Sequence, residues 1–568
     1  MKWMLFSIVL PAILLTSPRT PAQTLPPEIT SRVDQVFERW NKPDSPGCAL
    51  GVYKDGEIIY KRGYGMANLN DDIPITSATV FHVASMSKQF TAASIILLAQ
   101  QGKLSLDDDV HKYIPELPDF HEKITIRELM HHTSGLRDQW LLLDFAGWRY
   151  SKDLITDDDV MSVVTRQKAL NFKPGERFMY SNTGYTLLAI IVKRVSGMSL
   201  REFTTINIFA PLGMTHTHFR DDHEEIIKHD ALGYEQDGSG EPFRMDLTNF
   251  DTVGATSLHT TVEDLQLWDE NFYHPRIGGP AFIAQMLEPG TLNSGEQMDY
   301  ASGLGLIKYK GLPTVDHGGA DAGYRSDLTR FPEQHFSVAV LCNLASTNPG
   351  ALVRQVADVF LAKDLKASET TPAGEPANGI ATAPTAEQME AMAGTYWNRD
   401  NNSFEKIWVK DGQLNWSEFK SDQVVLMKPA AEAHFHLAGV PGGDDVDIHF
   451  VAATAAVTRH LELIHSDGKL DVFESVTAFE PTSTQLAEYA GQYFSEEIDP
   501  VYRVVLQDNV LSMLRLKHKP DLLRPVMRDT FVGEIGTLQF TRDPNQQISG
   551  FILSNGQTQG FRFTKKPD

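Results

Sequence analysis

The sequence is poor in cysteine, with only Cys48 and Cys342 among its 568 residues. A chain of this kind is not a disulfide-rich scaffold, and two thiols alone cannot form a structural zinc site. Both cysteines lie in apolar, strand-like runs, GCALGVYKDGEIIY and FSVAVLCNL. They are expected either to pair, if the two strands are neighbours in an oxidising compartment, or to remain buried thiols.

The sequence is also poor in positively charged residues. The chain has 51 Lys and Arg against 74 Asp and Glu, which leaves a net charge of −23. Because no basic stripe is available to neutralise phosphates, no nucleic acid and no anionic membrane surface is expected as a partner. Beyond the first 22 residues no apolar run reaches the roughly 20 residues that span a bilayer, so no transmembrane segment is expected in the mature protein.

The first 22 residues, MKWMLFSIVLPAILLTSPRTPA, have the composition of a secretory signal peptide. One lysine precedes an apolar run from Met4 to Leu15, and small residues follow at Thr20 and Ala22. A membrane anchor is the alternative, but the run is shorter than the roughly 20 residues of a spanning helix. We therefore predict a signal peptide over 1–22 and an exported protein, periplasmic or secreted.

The composition changes twice along the rest of the chain. Residues 28–363 alternate strand-like and helical patterns and form one large α/β region, which begins with a hairpin around Asp55-Gly56. Residues 364–386 lack aromatic side chains and are rich in Pro, Ala, Thr and Gly. A stretch of that composition cannot bury a core, so it is predicted to be a linker.

An internal repeat follows the linker. PTAEQMEAMAGTYW (384–397) matches PTSTQLAEYAGQYF (481–494), and DGQL (411–414) meets DNVL (508–511) at the same offset of 97 residues. Each copy continues with short alternating runs broken by Gly, Asn and Asp, a pattern typical of small antiparallel sheets or barrels. Two β-domains are therefore predicted, at 387–480 and 481–568.

The motif Ser-x-x-Lys at Ser85 stands where VASMSKQFTAASIILLAQQG predicts the start of a long helix. A serine there lies against free backbone N–H groups, and a lysine three residues on projects from the same face. Such a lysine can be the base that a serine nucleophile needs, although a capping serine with a solvated lysine gives the same pattern. The spacing recurs at Ser403, Ser417 and Ser466, but in strand or turn surroundings where i and i+3 point to opposite faces.

Two further segments favour a catalytic serine and lysine over a capping serine with a solvated lysine. They are Tyr180-Ser181-Asn182 before another helix and His317-Gly318-Gly319 on a strand edge. They occur with GKLSLDDDVHKYIPELP, LMHHTSGL, FAPLGMTHT and TSLHTTVEDLQLW in a fixed order. Over about residues 30–362 the chain resembles the serine β-lactamase and penicillin-binding-protein superfamily, closest to class C β-lactamases and D-aminopeptidase-like serine hydrolases. The resemblance implies a multi-domain chain: an α/β β-lactamase-like catalytic domain, with an antiparallel sheet flanked by helices, followed by two small all-β lipocalin-like domains.

Carried over residue by residue, the resemblance implies that Ser85 is the acylated nucleophile and Lys88 its proton partner. Tyr180 is a second base candidate, whose phenolate a neighbouring Lys88 ammonium would favour. Asn182 would hydrogen-bond the substrate amide and hold Lys88. The backbone N–H groups of Ser85 and Ala320 would form the oxyanion hole. No metal and no organic cofactor is implied.

The third motif departs from the family pattern, because His317-Gly318-Gly319 stands where β-lactamases usually carry Lys-Thr-Gly. Gly318 and Gly319 still allow a substrate backbone to pair closely with the strand edge. The permanent ammonium that would hold a β-lactam carboxylate is missing, which argues against efficient β-lactamase activity. If His317 touches the substrate, its protonation is expected to change activity between about pH 5 and 8. Asp321 is either a holder for a substrate amine or an ordinary turn residue.

Other chemical signatures are weak or absent. His131-His132 finds no third metal ligand at a sensible spacing, and in HEEIIKH (223–229) the second histidine is at i+6 instead of the i+4 of zinc proteases. The GxSxG motif of α/β-hydrolases does not occur in the sequence. Trp140 and Trp148 are expected either to line a substrate cleft or to fill the core.

Together these residues predict an exported serine hydrolase that works through an acyl-enzyme on Ser85. Its substrate is expected to be an amide or ester: a D-amino-acid peptide or amide, a peptidoglycan-like compound or a simple ester. The partner is thus a small molecule or peptide, and the oligomeric state is left open. The alternatives are a penicillin-binding receptor or sensor with slow or no turnover, and a β-lactamase. A chain whose β-domains carry ligands is a third alternative, although short repeats leave little room for a cavity.

Overall fold

The computed structural model describes residues 25–236, 238, 241–365, 384–421, 423–431, 433–438, 446–454, 457–465 and 469–567. The predicted signal peptide, most of the predicted linker and Ser466 lie outside the described residues. Across the described ranges, no helix combines the length and the apolar character that crossing a membrane requires.

The N-terminal region alternates helices and strands. Its elements are, in chain order, α1 (Pro27–Phe37), β1 (Cys48–Lys54), β2 (Glu57–Tyr64), β3 (Met66–Asn68), β4 (Ile73–Pro74), β5 (Phe81–His82), α2 (Lys88–Gln100), α3 (Ile126–Met130), α4 (Gln139–Phe145), α5 (Asp157–Val164), α6 (Asn182–Ser196), α7 (Leu200–Thr204), α8 (Ala210–Leu212), β6 (His218–Phe219), β7 (Tyr234–Glu235), β8 (Arg244–Met245), β9 (Leu258–Thr260), α9 (Val262–Glu270), α10 (Gly279–Met286), β10 (Gly305–Tyr309), β11 (Leu312–Asp321), β12 (Tyr324–Phe331), β13 (Phe336–Cys342) and α11 (Pro349–Phe360).

An antiparallel sheet forms the centre of this region, with the strand order β10-β11-β12-β13-β1-β2 over the described residues. The predicted hairpin at Asp55-Gly56 joins β1 to β2, and both turn residues have positive φ, 50° and 81°. Apolar residues of α1 and α11 cover one face of the sheet, where Val33 and Val353 pack with Val340 of β13. A larger apolar core that includes α2 and α6 covers the other face.

The two cysteines form a disulfide. Cys48 of β1 and Cys342 of β13 are directly opposite in the register of the two strands, with Cα atoms 4.1 Å apart, and both side chains are buried. Of the two alternatives that the sequence leaves open, pairing is therefore the one that the structure shows.

The C-terminal region is built from short antiparallel strands. Its elements are α12 (Ala386–Met392), β14 (Gly394–Asn398), β15 (Ser403–Lys410), β16 (Gln413–Glu418), β17 (Val425–Leu426), β18 (Lys428–Ala431), β19 (His434–Leu437), β20 (Val446–Val451), β21 (His460–His465), β22 (Leu470–Val476), α13 (Ser483–Ala487), β23 (Gly491–Phe494), β24 (Val501–Gln507), β25 (Val510–Leu514), β26 (Asp521–Met527), β27 (Thr530–Gly533), β28 (Gly536–Arg542), β29 (Ile548–Asn555) and β30 (Thr558–Lys565).

These strands make two separate sheets. In the described residues, β14 to β22 form a nine-stranded sheet whose edge strands are β17 and β18, and β23 to β30 form a closed eight-stranded barrel. Only Met427 separates β17 from β18 along the chain, so the nine-stranded sheet curls until its two edges meet. We call it the curled sheet. The predicted architecture, a β-lactamase-like domain followed by two small all-β domains, is confirmed, while the exact domain limits stay a prediction.

The two copies of the repeat begin alike. Helix α12 has a capping box of Thr385 and Gln388, and α13 has one of Thr482 and Gln485, each at the 97-residue offset seen in the sequence. A threonine side chain satisfies the third backbone N–H of each helix while the glutamine side chain returns to the threonine N–H. The same local chemistry thus starts both β-domains.

Reduction of the Cys48–Cys342 disulfide is expected to lower the free energy of unfolding by about 2–5 kcal/mol. The bond joins residues 294 positions apart, so its loss releases many unfolded conformations that the closed loop excludes. Urea unfolding of the oxidised and the reduced protein measures the difference. A Cys48→Ala/Cys342→Ala variant should not respond to the reductant, and equal stability of the oxidised and reduced protein would contradict the expectation.

Candidate active site

Ser85 lies in a tight turn that leads into α2. A 3₁₀ turn covers Ala84–Ser87, and Ala84 has a φ of 49°, a left-handed conformation that is rare for a residue with a side chain. The Val83 N–H donates to the carbonyl of Leu258 in β9, and the Leu258 N–H donates to Ser87 Oγ at 3.0 Å. These bonds hold the strained turn against β9 and fix the position of Ser85 at the start of the helix.

Lys88 points back over this turn and is buried. Its ammonium nitrogen lies 3.0 Å from Ser85 Oγ, 2.9 Å from Asn182 Oδ1 and 2.7 Å from the carbonyl oxygen of Ala255. All three atoms that it contacts are uncharged oxygens. The lysine is thus oriented toward the serine without a carboxylate that would hold its proton.

Asp138 fixes the orientation of Asn182. The backbone N–H of Asn182 and its side-chain Nδ2 both donate to Asp138 Oδ2, at 2.7 and 2.8 Å. Since Nδ2 is bound there, Oδ1 must face Lys88. The other carboxylate oxygen of Asp138 caps α4 by accepting from the Trp140 N–H. Asp138 is not among the site residues predicted from the sequence, although an aspartate directly before the apolar run QWLLLDF is a helix N-cap signal.

Burial lowers the pKa of Lys88 to about 7, while the charges of Asp321 and Asp138 act in the opposite direction. Burial also raises the pKa of Tyr180 above its usual range, and Asp138 adds to that rise. The expectation that Lys88 favours a Tyr180 phenolate is therefore wrong. Lys88 Nζ lies 4.8 Å from the centre of the Tyr180 ring, over its face, instead of ion-pairing with a phenolate oxygen. Lys88 is the group that loses its proton near neutral pH, and Tyr180 keeps its proton.

A directional chain of hydrogen bonds ends at His317. The Ser181 N–H donates to His132 Nδ1, so His132 carries its proton on Nε2, 3.1 Å from the Tyr300 hydroxyl. Tyr300 in turn lies 3.1 Å from His317 Nε2, and His317 Nδ1 lies 2.6 Å from the carbonyl oxygen of Gly318. Because a backbone N–H can only donate and a carbonyl can only accept, the two ends fix the direction of every bond between them.

The expectation that His317 changes its protonation between about pH 5 and 8 is wrong. Both ring nitrogens are occupied in the neutral form, and burial together with the Lys88 charge lowers the pKa of His317 to about 4. The imidazole therefore stays neutral between about pH 5 and 8 and is not expected to cause a pH dependence of activity there. His132 is neutral for the same main reason, because burial holds its pKa well below the usual range. The sequence contains no local signal for Tyr300, which joins the two histidines.

Strand β11 offers a free edge beside Ser85. Strand β10 pairs with β11 only from Leu312 to Asp316, so no strand in the described residues covers that edge at Gly318, Gly319 and Ala320. A Cβ atom on Gly319 would lie 2.2 Å from the carbonyl oxygen of Val83, next to the Ser85 turn. The lack of a side chain at Gly319 thus lets β11 approach the turn closely.

The free edge borders a cleft of about 960 Å³ lined by all of the predicted site residues except Lys88: Ser85, Tyr180, Asn182, His317, Gly319 and Ala320. Trp140 lines the cleft too, and its ring contacts Tyr150 and Phe250. Trp148 does not belong to this cleft, since it lines a smaller one with Leu516 of the barrel.

Asp321 is buried at the cleft, not exposed on a turn. Its Oδ2 lies 2.9 Å from His82 Nε2 and also accepts a hydrogen bond from Thr256. Among the described residues, one group has side-chain atoms spaced for a metal ion: Asp222, His223 and Asp251. Within that group, His223 Nδ1 lies 3.0 Å from Asp251 Oδ2.

The barrel docks on the segment that carries Asp138. Arg137 is buried and its guanidinium lies 2.7 Å from Glu497 of the barrel, with further bonds to the carbonyl oxygens of Gln559 and Gly560. The backbone N–H of Asp138 itself donates to the carbonyl oxygen of Gln557. The C-terminal barrel is therefore in direct hydrogen-bond contact with the residue that orients Asn182.

Comparison with known proteins places the chain in a class. The Beta-lactamase family model matches residues 33–363, which is more than half of the chain. The chain therefore belongs to the Beta-lactamase family, a family of serine hydrolases.

Two curated relatives match the same region. Penicillin-binding protein 4* of Bacillus subtilis (strain 168) is 34% identical over 323 residues, which cover 54% of this chain and 70% of the relative. Protein flp of Staphylococcus aureus (strain N315) is 30% identical over 334 residues, which cover 57% of this chain and 65% of flp, just under two thirds of its length.

Solved structures share the fold at lower identity. The octameric penicillin-binding protein homologue from Pyrococcus abyssi has a TM-score of 0.54 at 23% identity, covering 79% of this chain and 99% of that one. FmtA from Staphylococcus aureus has a TM-score of 0.51 at 20% identity, covering 62% and 94%. At these identities the likeness shows the fold alone.

Asp138→Asn is expected to move the pH dependence of serine acylation to lower pH. The Asp138 charge raises the pKa of Lys88, so its removal lowers that pKa below about 7 and makes the neutral amine available at lower pH. The rate of labelling by a fluorophosphonate probe, measured from about pH 5 to 9, reports the shift. Asp144→Asn, an equal charge change on the same helix, should leave the midpoint in place. A midpoint that stays fixed or rises in Asp138→Asn would contradict this.

Arg137→Met is expected to lower the labelling rate of Ser85 and the stability of the barrel contact. The substitution leaves the Glu497 carboxylate buried without its partner, which typically costs about 3–5 kcal/mol. Arg166→Met is the matched control, because Arg166 pairs with Asp499 across the same interface but on its exposed rim. Labelling kinetics and thermal unfolding compare the two variants. Equal small effects in both would show that the docked barrel does not support the site.

Proposed function

We propose that this protein is an exported serine hydrolase that cleaves an amide or ester through an acyl-enzyme on Ser85. The observation that carries the proposal is the 3.0 Å contact of Ser85 Oγ with a buried Lys88 whose pKa is about 7. A neutral amine at that distance can accept the serine proton, which a permanently charged lysine cannot. The family membership supports the same chemistry.

The acylation step follows from this arrangement. Ser85 Oγ transfers its proton to Lys88 Nζ and attacks the substrate carbonyl, and the N–H groups of Ser85 and Ala320 bind the oxyanion that forms. Tyr180, which is protonated in the free enzyme, donates its proton to the leaving amine or alkoxide and regains a proton from the Lys88 ammonium. Water then attacks the acyl-serine. Its proton passes through Tyr180 to Lys88 and on to Ser85 Oγ, and the acid product leaves. Each oxyanion donor contributes about 3–4 kcal/mol in comparable enzymes.

The acyl donor is proposed to be extended and peptide-like, with a D-amino-acid peptide or amide or a peptidoglycan-like compound ahead of a simple ester. Support comes from the uncovered edge of β11 at Gly318, Gly319 and Ala320, where a substrate backbone can add as a strand. The buried Asp321 carboxylate at the cleft supports a substrate that carries an amine. His317 stays neutral, so it supplies no fixed cation for the carboxylate of a β-lactam.

Export is part of the proposal. The predicted signal peptide supports it, and so does the buried Cys48–Cys342 disulfide, because such bonds persist in oxidising compartments outside the cytosol. A second candidate function, a penicillin-binding receptor or sensor with slow turnover, is favoured by the 34% identity to a penicillin-binding protein.

Ser85→Ala is expected to abolish labelling by a fluorophosphonate probe and to lower turnover by about a millionfold. The panel for turnover consists of D-alaninamide, a D-alanyl-D-alanine peptide, short acyl esters and nitrocefin. Ser403→Ala and Ser417→Ala, which share the Ser-x-x-Lys spacing, serve as matched controls and should label like the parent. Labelling that persists in Ser85→Ala would overturn the mechanism.

The same panel separates the two candidate functions. A hydrolase releases product from one of the amides or esters over many cycles. A receptor instead accumulates a stable acyl adduct on Ser85, visible as a mass increase of the intact protein, with at most one product per protein molecule.

A further inference from the structure

The two β-domains enclose a cavity that the proposed hydrolysis does not use. It has a volume of about 220 Å³ and is lined both by residues of the curled sheet and by barrel residues, among them Val532, Gly536 and Ser554. Drug-sized ligands occupy pockets of about 300–1,000 Å³, so this cavity suits a smaller molecule. The short repeats predict little room for a ligand inside either β-domain, and the junction between the two domains supplies that room.

Acidic side chains point into the cavity from the inner face of the curled sheet. Glu405 of β15 is directly opposite Glu418 of β16 in the strand register, and both line the cavity. Strand alternation puts Glu405 on the same face as buried Ile407, and Glu418 on the same face as buried Trp416. Two carboxyl groups directly opposite each other on one face cannot both be ionised without cost unless a positive charge lies between them.

Two polar atoms at this cavity are buried without a partner. Glu405 is 4% exposed and Trp416 2%, and in the described ranges neither Glu405 Oε2 nor Trp416 Nε1 has a hydrogen-bond partner. An unsatisfied buried polar group is costly and rare in a native protein. Glu405 Oε2 accepts hydrogen bonds when the carboxylate is ionised, whereas Trp416 Nε1 can only donate one. Together they call for a ligand that offers a donor next to an acceptor.

We propose that this cavity binds a small molecule that carries a primary ammonium group beside a hydrogen-bond acceptor on a compact apolar body. The ammonium would lie between Glu405 and Glu418, and the acceptor would receive the indole N–H of Trp416. The apolar body would contact Val446, Leu463 and Val532, which also line the cavity. An α-amino amide or α-amino ester of a branched aliphatic residue has these features.

Three carboxyl side chains, those of Glu405, Glu418 and Asp471, line the cavity against one lysine, Lys420. His465 and Asp471 line it as a pair, with His465 Nε2 2.8 Å from Asp471 Oδ2, and Lys420 Nζ lies 3.4 Å from Glu418. The barrel residues that line the cavity are uncharged. Burial and the neighbouring Glu418 hold the pKa of Glu405 well above its usual range, which favours a protonated carboxyl in the free protein. A bound ammonium would displace that proton.

The test uses isothermal titration calorimetry on the full-length Ser85→Ala protein, which cannot turn over an amide through the proposed mechanism. The probes are leucinamide, isopentylamine, which lacks the acceptor, and 4-methylpentanamide, which lacks the amine. Leucinamide should bind with 1:1 stoichiometry and 4-methylpentanamide should not bind. Titrations in two buffers of different ionisation enthalpy should show proton release on leucinamide binding.

Two variants assign the binding to this cavity. Glu405→Gln should weaken leucinamide binding at least about tenfold and remove the proton release. Trp416→Phe should weaken leucinamide but not isopentylamine, which has no acceptor for the indole. Glu387→Gln in α12 and Trp408→Phe, on the other face of β15, are the matched controls and should bind like the parent. Glu418→Gln replaces Glu405→Gln if circular dichroism shows that the latter does not fold.

The proposal is overturned if leucinamide does not bind saturably, if 4-methylpentanamide binds equally well, or if the cavity variants bind like their controls. If leucinamide binds only at the Ser85 cleft, the Glu405 and Trp416 variants will bind it like their controls, and the proposal is overturned. The outcome is independent of the proposed hydrolysis, since no step of the test requires Ser85 to react.

Discussion

The burial of one lysine determines what the catalytic region can do. Lys88 is surrounded by uncharged oxygen atoms of Ser85, Asn182 and Ala255, while the carboxylates of Asp138 and Asp321 act on it without contact. If either carboxylate touched the ammonium, the lysine would keep its proton and could not serve as a base at neutral pH. The rest of the site keeps the two carboxylates close to Lys88 but out of contact with it. Asn182 lies between Lys88 and Asp138, and His82 and Thr256 bind Asp321.

The sequence predicts the residues whose relation is local. Ser85 and Lys88 are three positions apart on one helix start, and the strand alternation of the C-terminal region predicts small β-domains, which the structure has. It does not predict partners that are distant in the chain. Asp138 meets Asn182 across 44 residues, and Arg137 meets Glu497 across 360. No short motif encodes such pairs, because they exist only once several elements have packed together.

Protonation states are harder still to predict from residue types. The phenolate expected at Tyr180 follows from a neighbouring charge alone, and the titration expected at His317 follows from an unperturbed imidazole; burial reverses both. For His317 the additional reason is Tyr300, which occupies the one ring nitrogen that was free to face the substrate. The depth at which a side chain lies depends on the whole fold, so a substitution such as histidine for lysine in the third motif cannot be interpreted before its neighbours are known.

The docking of the barrel has a consequence for the order of synthesis. The carbonyl of Gln557, which binds the Asp138 N–H, lies near the very end of the chain, in the turn between β29 and β30. The backbone contact to Asp138 therefore forms only after β29 and β30 have been made, later in the chain than the whole catalytic region. Because domains generally fold as they emerge, N-terminal first, the catalytic domain can be compact before the barrel docks on it. Until β29 and β30 dock, the Asp138 N–H lacks this partner, so the residue that orients Asn182 reaches its final contacts only after the barrel has folded.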